Sequence, residues 1–276
     1  MNQTLTPPVK LNLTKKSSLG SNLSGVKFKI EAKQNGSVIA EKNGITSFTT
    51  VSGGKTLNWQ PTSRDYPIII TITETDVPTG YKVAEPIVIT LTYDTTTNKW
   101  KATKTTDKEN ILTITKDTNI DITITNQYIS QIKISGDIDG FGGFNKVDQA
   151  GKPVIGAQFK AVFEQDGKKF AEKTATSDKN GKLDFEAVQP TTTSNVRVTI
   201  TETKAPAGYE NSNYNKTIEF TYDKNSHTWK PLTNDVNAKV KYKDKTTYVD
   251  IDNVVNKSQR DELTLIKQDS QDHGNL

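Results

Sequence analysis

Apolar and polar residues alternate along this chain in short runs, and Gly, Asn and Asp punctuate the runs. Val9, Leu11, Leu13 and Lys15 share one parity, as do Ile68, Ile70, Ile72 and Glu74, and Ile120, Ile122, Ile124 and Asn126. Further apolar runs occupy Val26–Ile30, Ser37–Ala40, Leu57–Trp59 and Ile87–Tyr93, with turn chemistry at Asn35-Gly36, Asn43-Gly44 and Gly53-Gly54 between them. A period of two over four to eight residues, bounded by turn residues, predicts half-buried strands. No convincing helical period occurs. The expectation is an all-β chain of antiparallel sandwich type, rich in the Thr, Val and Ile that strands favour.

The pattern occurs twice. Thr71-Ile-Thr-Glu74-Thr-Asp-Val-Pro78-Thr-Gly80-Tyr81 returns as Thr199-Ile-Thr-Glu202-Thr-Lys-Ala-Pro206-Ala-Gly208-Tyr209. Its surroundings return with it. Ser24-Gly25-Val-Lys-Phe28 matches Ile155-Gly-Ala-Gln-Phe159, and the hairpin Tyr93 to Trp100 matches Tyr222 to Trp229. Lys55–Trp59 corresponds to Gly181–Phe185, and Lys116-Asp117 corresponds to Lys243-Asp244. An Asn lies nine positions beyond that Asp in both copies, Asn126 and Asn253. Two copies in one order make a tandem repeat. Residues 1–8 read as a leader and 9–128 as the first sandwich. Residues 129–257 read as the second, its connector containing Ile132, Ile134 and Ile138. Residues 258–276 read as a linker and the start of a truncated third repeat, Glu262 to Asp269.

Strand parity places three polar residues of each copy on an apolar face. They are Lys15, Glu74 and Asn126 in the first, and Lys146, Glu202 and Asn253 in the second, at closely matching spacing. Asn256, three residues on and next to a lysine, is the alternative acceptor if a β-bulge shifts the strand. Lys10 and Lys16 have the opposite parity and face solvent. A lone buried charge is costly unless it is paired or neutralised. Desolvation lowers an amine's pKa and raises a carboxyl's. A neutral amine beside a protonated carboxyl is a nucleophile beside a general acid, and an Asn side-chain carbonyl is an electrophile. Glu74 and Glu202 therefore stand as catalytic groups for a Lys–Asn isopeptide crosslink with release of ammonia. The plain alternative is a buried salt bridge with a satisfied Asn.

These motifs (Lys-x-Asp, Gly-x-x-Phe, Glu-Thr-x-x-Pro-x-Gly-Tyr and a terminal strand with Asn) resemble the collagen-adhesin B-type, or Cna B-like, repeat of Gram-positive surface proteins. The Glu stretch resembles the pilin E box. The resemblance spans roughly residues 9–256. It holds throughout around Glu202 and more loosely around Glu74, where Asp76-Val77 departs from the pattern, and Ser17 stands where the second copy has Asp148. It implies transthyretin-like, or inverse immunoglobulin-like, sandwiches with self-formed isopeptide bonds. It also implies an extracellular location on a cell wall or pilus, with neighbouring repeats or pilin subunits as partners. On this reading the chain is a stalk or pilus-shaft segment. The bond forms once per domain, so the protein is not an enzyme. The rival is an adhesin module that binds host extracellular matrix protein or glycan through an exposed sheet face or loop.

Composition narrows the field. The chain has 276 residues, 32% hydrophobic and 25% charged, with interleaved signs and a net charge of +4. That suits solvated faces better than a nucleic-acid surface. With no Cys and only two His, His227 and His273, disulfides, thiolate chemistry and His-centred catalysis have little or no material. No apolar run is long enough to span a membrane, no signal peptide precedes the strands, and nothing implies a cofactor or metal. Asp137-Ile-Asp139-Gly140 has the start of a calcium loop without its later ligands and reads as a solvated turn. Trp59, Trp100 and Trp229 read as core rather than as a carbohydrate platform, since Trp59 aligns with Phe185. Tyr214-Asn-Lys216 is too weak a motif to mark a sortase acceptor lysine.

Overall fold

A computed structural model describes residues 6–52, 54–116, 120–134, 144–232 and 238–259. All regular structure among them is β-strand. The calcium-like turn at 137–140, Ile138, Asp117 and the truncated third repeat lie outside the described residues. By packing, the chain forms two units. Unit 1 is Met1–Gln131 with Gln189–Ser194 and Thr221–Lys230, and unit 2 is Ile132–Val188, Asn195–Phe220 and Pro231–Leu276. The expected cut after residue 128 lies near the Gln131/Ile132 step. The two short later segments that group with unit 1 are not visible in strand periodicity.

The first repeat supplies β1 (Val9–Ser17), β2 (Lys27–Gln34), β3 (Ser37–Val38), β4 (Ser47–Thr49), β5 (Lys55–Trp59), β6 (Ile68–Asp76), β7 (Ile87–Asp94), β8 (Lys99–Thr106), β9 (Leu112–Lys116) and β10 (Asp121–Asn126). One sheet runs β5-β1-β10-β9, and the other runs β3-β2-β6-β7-β8 with β4 also on β2. Their inward residues form one core. Leu11, Leu13, Leu57, Trp59, Ile122 and Ile124 come from the first sheet, and Phe28, Ile70, Ile72, Ile89, Leu91 and Trp100 come from the second. β1, β6 and β10 alternate buried and open positions, as strands with one face on a core must.

In the first repeat one pairing departs from the antiparallel expectation. β1 and β10, the first and last strands, run parallel, with Lys15 opposite Ile124 and Ser17 opposite Asn126. Strands this far apart in sequence can pair in parallel because the rest of the unit serves as the crossover.

The second repeat supplies β11 (Gln131–Ile134), β12 (Phe144–Asp148), β13 (Gln158–Gln165), β14 (Lys168–Thr176), β15 (Lys182–Leu183), β16 (Val196–Lys204), β17 (Asn215–Asp223), β18 (Thr228–Pro231), β19 (Ala238–Lys243), β20 (Thr246–Ile251) and β21 (Val254–Asn256). The large sheet runs β14-β13-β16-β17-β18. The terminal strands are each in two pieces: β12 pairs with β15 and β21, while β11 pairs with β20. The β12–β21 pair is again parallel, with Lys146 opposite Val254 and Asp148 opposite Asn256. Phe144, Phe159, Phe163, Phe185, Val198 and Ile200 are fully buried in unit 2. Trp59, Trp100 and Trp229 are buried too, which removes them as an exposed platform.

The Pro/Gly turn after Glu74 fixes the end of β10. Gly80 has φ +91°, Ile129 donates its amide to Gly80 O at 2.7 Å, and a Cβ on Gly80 would lie 2.6 Å from the Tyr128 ring. Gly208 has φ +85° and nothing within 4 Å of a Cβ. Gly208→Ala is therefore expected to cost only the left-handed strain, about 1–2 kcal/mol. Gly80→Ala adds about 1–3 kcal/mol of overpacking. Denaturant midpoints of the two variants should differ in that order, and equal midpoints would refute the role given to the Tyr128 contact.

Candidate functional site

In unit 1 the three expected residues meet. β1 carries Lys15 inward, β6 carries Glu74, and β10 ends on Asn126; all three are buried. Lys15 Nζ donates to Asn126 Oδ1 at 2.7 Å and to Ile124 O at 3.2 Å. Asn126 Nδ2 donates to Glu74 Oε2 at 2.8 Å, and the Ala84 amide donates to the same oxygen at 3.0 Å. Glu74 Oε1, which has no hydrogen-bond donor of its own, faces Lys15 Nζ at 3.3 Å as an ion pair. Each member thus touches the other two. Lys10 and Lys16 point to solvent, as their parity requires.

Burial pulls the Lys15 amine down from the ordinary 10.5 to about 8, against the opposing pull of Glu74. The cause is the apolar environment, which penalises the ammonium form. About a tenth of such an amine is free of its proton at pH 7, against a few parts in ten thousand of an ordinary lysine. It lies against the Asn126 amide, with its nitrogen 2.7 Å from the carbonyl oxygen, so a nucleophile and an acyl group are held side by side.

Unit 2 assembles the same residue types with a different acceptor. The structure corrects the inward placement of Asn253. That residue is exposed, and its Oδ1 accepts from Asn145 Nδ2 at 3.2 Å. Asn256 is fully buried instead, and its Nδ2 donates to Glu202 Oε1 at 2.8 Å. The physical reason is a break in alternation. β20 ends at Ile251, Asp252 and Asn253 both face out, and β21 resumes inward at Val254. Matching by distance from Lys243-Asp244 ignores this step between two different partner strands. Two equivalences confirm the geometric match of Asn256 with Asn126. Each lies two residues past the residue opposite the lysine, and each lies two before the residue bridged to the turn tyrosine, Tyr81↔Tyr128 and Tyr209↔Ser258.

The unit 2 contacts differ in detail. Lys146 is fully buried and donates to Val254 O at 2.8 Å. Burial brings its amine down to about 8 as well, with Glu202 opposing. Asn256 Oδ1 is buried and has no hydrogen-bond partner among the described residues. Glu202 Oε2 accepts both the amide of Ser212, at 2.8 Å, and the Ser212 hydroxyl.

Ala84 and Ser212 escape sequence reasoning. Each lies ten residues past its Glu in an irregular loop, and only the repeat alignment could have drawn attention to them. Ser17 is a second omission. It is buried, and its hydroxyl accepts from Tyr81 Oη at 2.7 Å, which ties the turn to the end of β1. In unit 2 the corresponding Asp148 instead accepts the amides of Ala150 and Lys152 in a turn.

Residues 142–235 match a known protein family. Its model is described as SpaA, a prealbumin-like fold domain. The match covers the body of the second repeat, and prealbumin-like describes the β-sandwich seen there. Among solved structures, the pilus adhesin SpaC of Lactobacillus rhamnosus GG is similar at 15% identity and TM-score 0.39 over 91% of this chain and 32% of its own. A streptococcal ancillary pilin is similar at 18% identity and TM-score 0.38 over 93% of this chain and 63% of its own. The shaft pilin SpaA of Lactobacillus rhamnosus GG gives 15% and 0.33 over 91% of this chain and 98% of its own. The chain therefore spans about a third of the first of these and under two thirds of the second. A comparison with curated protein sequences found no match. No helix among the described residues is long and apolar enough to cross a membrane, and no described group of His, Cys, Asp or Glu is arranged to hold a metal.

Proposed function

We propose that this chain is a pair of stalk modules from a pilus shaft or adhesin of a Gram-positive surface protein. Each module is locked by an isopeptide bond that its own Glu promotes. The observation that carries the reading is the buried mutual contact of Lys15, Glu74 and Asn126 across the parallel first and last strands. A buried salt bridge alone does not call for an amide carbonyl on the amine. The family match of the second repeat agrees with a pilin-like role outside the cell, where neighbouring repeats or pilin subunits are the partners.

The chemistry balances within the triad. Lys15 passes one ammonium proton to the Glu74 carboxylate and becomes a nucleophile. Its Nζ attacks Asn126 Cγ to give a tetrahedral centre, while protonated Glu74 hydrogen-bonds the reacting amide. A second amine proton and the proton held by Glu74 go to the departing nitrogen. The Cγ–Nδ2 bond breaks, ammonium leaves, and Glu74 ends as it began. The product is a neutral secondary amide, which removes the desolvation penalty of the buried charge. Lys146, Glu202 and Asn256 do the same in unit 2, once per molecule.

The mechanical consequence follows from topology. Force entering along β1 leaves along β10 through the Lys15–Asn126 bond, so the residues between them carry no load. Digestion and peptide sequencing by mass spectrometry test the reading. Branched peptides joining Lys15 to Asn126 and Lys146 to Asn256 are expected. Asn253→Ala should keep both branches, and Asn256→Ala should lose the second. Recovery of all four residues in linear peptides would refute the proposal.

A further inference from the structure

Besides Ser17 and Asp148, the two triads differ at the position ten residues past the Glu, and that difference reaches the reacting groups. In unit 1, Glu74 Oε2 accepts Ala84 N and Asn126 Nδ2, which leaves Oε1 turned to the lysine. In unit 2, the residue at the same ten-residue offset is Ser212. Its amide and hydroxyl both donate to Glu202 Oε2. The Tyr214 amide in turn donates to Ser212 Oγ at 3.3 Å, so the hydroxyl proton is directed at the carboxylate. With Oε2 holding two donors, Asn256 Nδ2 sits on Oε1, the oxygen that in unit 1 faces the amine. The Lys146 amine lies on Val254 O, and Asn256 Oδ1 has no hydrogen-bond partner among the described residues.

We infer that Ser212 is a positioning residue that holds the second triad in an arrangement less ready to react, so that the two modules lock in sequence, unit 1 first. The inference rests on the isopeptide reading above. Its physical content is a competition for one carboxylate. The Ser212 hydroxyl and amide fill the acceptor positions of Glu202 Oε2, so that oxygen is not open to the proton whose transfer would make Lys146 a nucleophile. The hydroxyl also occupies the site that the Asn amide takes in unit 1. In unit 1 the amine holds the corresponding carbonyl, Ile124 O, and Asn126 Oδ1 together; reaction in unit 2 requires the Asn256 amide to turn so that Lys146, on Val254 O, gains the same contact with Oδ1. A second unit that closes late stays extensible, and its terminal strand can still exchange, after the first is fixed.

The test is a short pulse of cell-free synthesis of the full chain, followed by a chase. Aliquots are quenched in denaturant, and each branched peptide is quantified separately. The expected result is that Lys15–Asn126 accumulates roughly five- to tenfold faster than Lys146–Asn256, the effect of about one hydrogen bond. Ser212→Ala should bring the second bond close to the rate of the first, while Ser212→Thr, which keeps the hydroxyl, should stay slow. A gain in rate on removing a side chain is not what a merely structural role gives. Ala84→Ser supplies the reciprocal arm, which stands even if Ser212→Ala fails to fold, and it should slow the first bond by a similar factor. Equal rates in the parent, including both bonds complete at the first time point, would overturn the inference while leaving the bonds themselves established. So would rates that do not respond to either substitution. Absence of branched peptides at every time would overturn the underlying reading instead.

Discussion

Intact-mass spectrometry of the purified protein is expected to return the sequence mass less two molecules of ammonia. Glu74→Ala should restore one of them, Glu202→Ala the other, and the double variant both. The expectation follows from placement. Each Glu is buried and bonded to the amide nitrogen that would leave, and each lysine is buried with its amine brought down to about 8 by the apolar surroundings. A Glu replaced by Ala removes the proton carrier and leaves amine and amide in place, so the loss reports chemistry rather than misfolding. Circular dichroism of the single variants would check that the sheets persist. The full unmodified mass in the parent protein would reduce both triads to buried polar clusters.

The second large effect is on stability. The proposed Lys15–Asn126 bond would close a loop of roughly 110 residues, and the chain-entropy estimate for a crosslink of that span is about 4.7 kcal/mol. Asn126→Ala keeps the Lys15–Glu74 pair and loses the bond. For a unit of this size it should lower the thermal midpoint by about 15–20 °C. Unit 2 should unfold separately and be little changed. The same variant should gain a pH dependence that the parent lacks. Its free Lys15 amine has a folded pKa of about 8 against 10.5 unfolded. Above the folded value the unfolded chain binds more protons, so stability should be level below about pH 8 and rise from there to about 10.5. On the proposed crosslink, the nitrogen in the parent is an amide and does not titrate. Urea midpoints for unit 1 between pH 6 and 10 would show the slope in the variant alone. An equal slope in both proteins would mean that the amine is free in both.

Much of this architecture was legible in residue order. Alternation in Val9–Lys15, Ile68–Glu74 and Ile120–Asn126 gave strands with inward polar residues, because side chains on a strand have a period of two and one face must be apolar. The duplicated Glu-Thr-x-x-Pro-x-Gly-Tyr stretch set the two repeats in register. Asn253 shows where the method stops. Parity carries a prediction only as far as the strand is continuous, and two successive outward residues, Asp252 and Asn253, reset it. The lysine beside Asn256 is the one local difference between it and Asn253, and it does not set which of them faces inward. The choice is made by β12, which pairs with Val254–Asn256 more than a hundred residues away in sequence.

The sequence by itself determined the all-β class and the inward placement of Lys15, Glu74, Lys146 and Glu202, since both follow from strand periodicity. Only the tertiary structure decided that the first and last strands pair in parallel, that Asn256 rather than Asn253 enters the core, and that Ala84 and Ser212 stand behind the two carboxylates. Those are matters of which strand or loop lies beside which, and hydrogen bonds between segments distant along the chain leave no period in the sequence to be read.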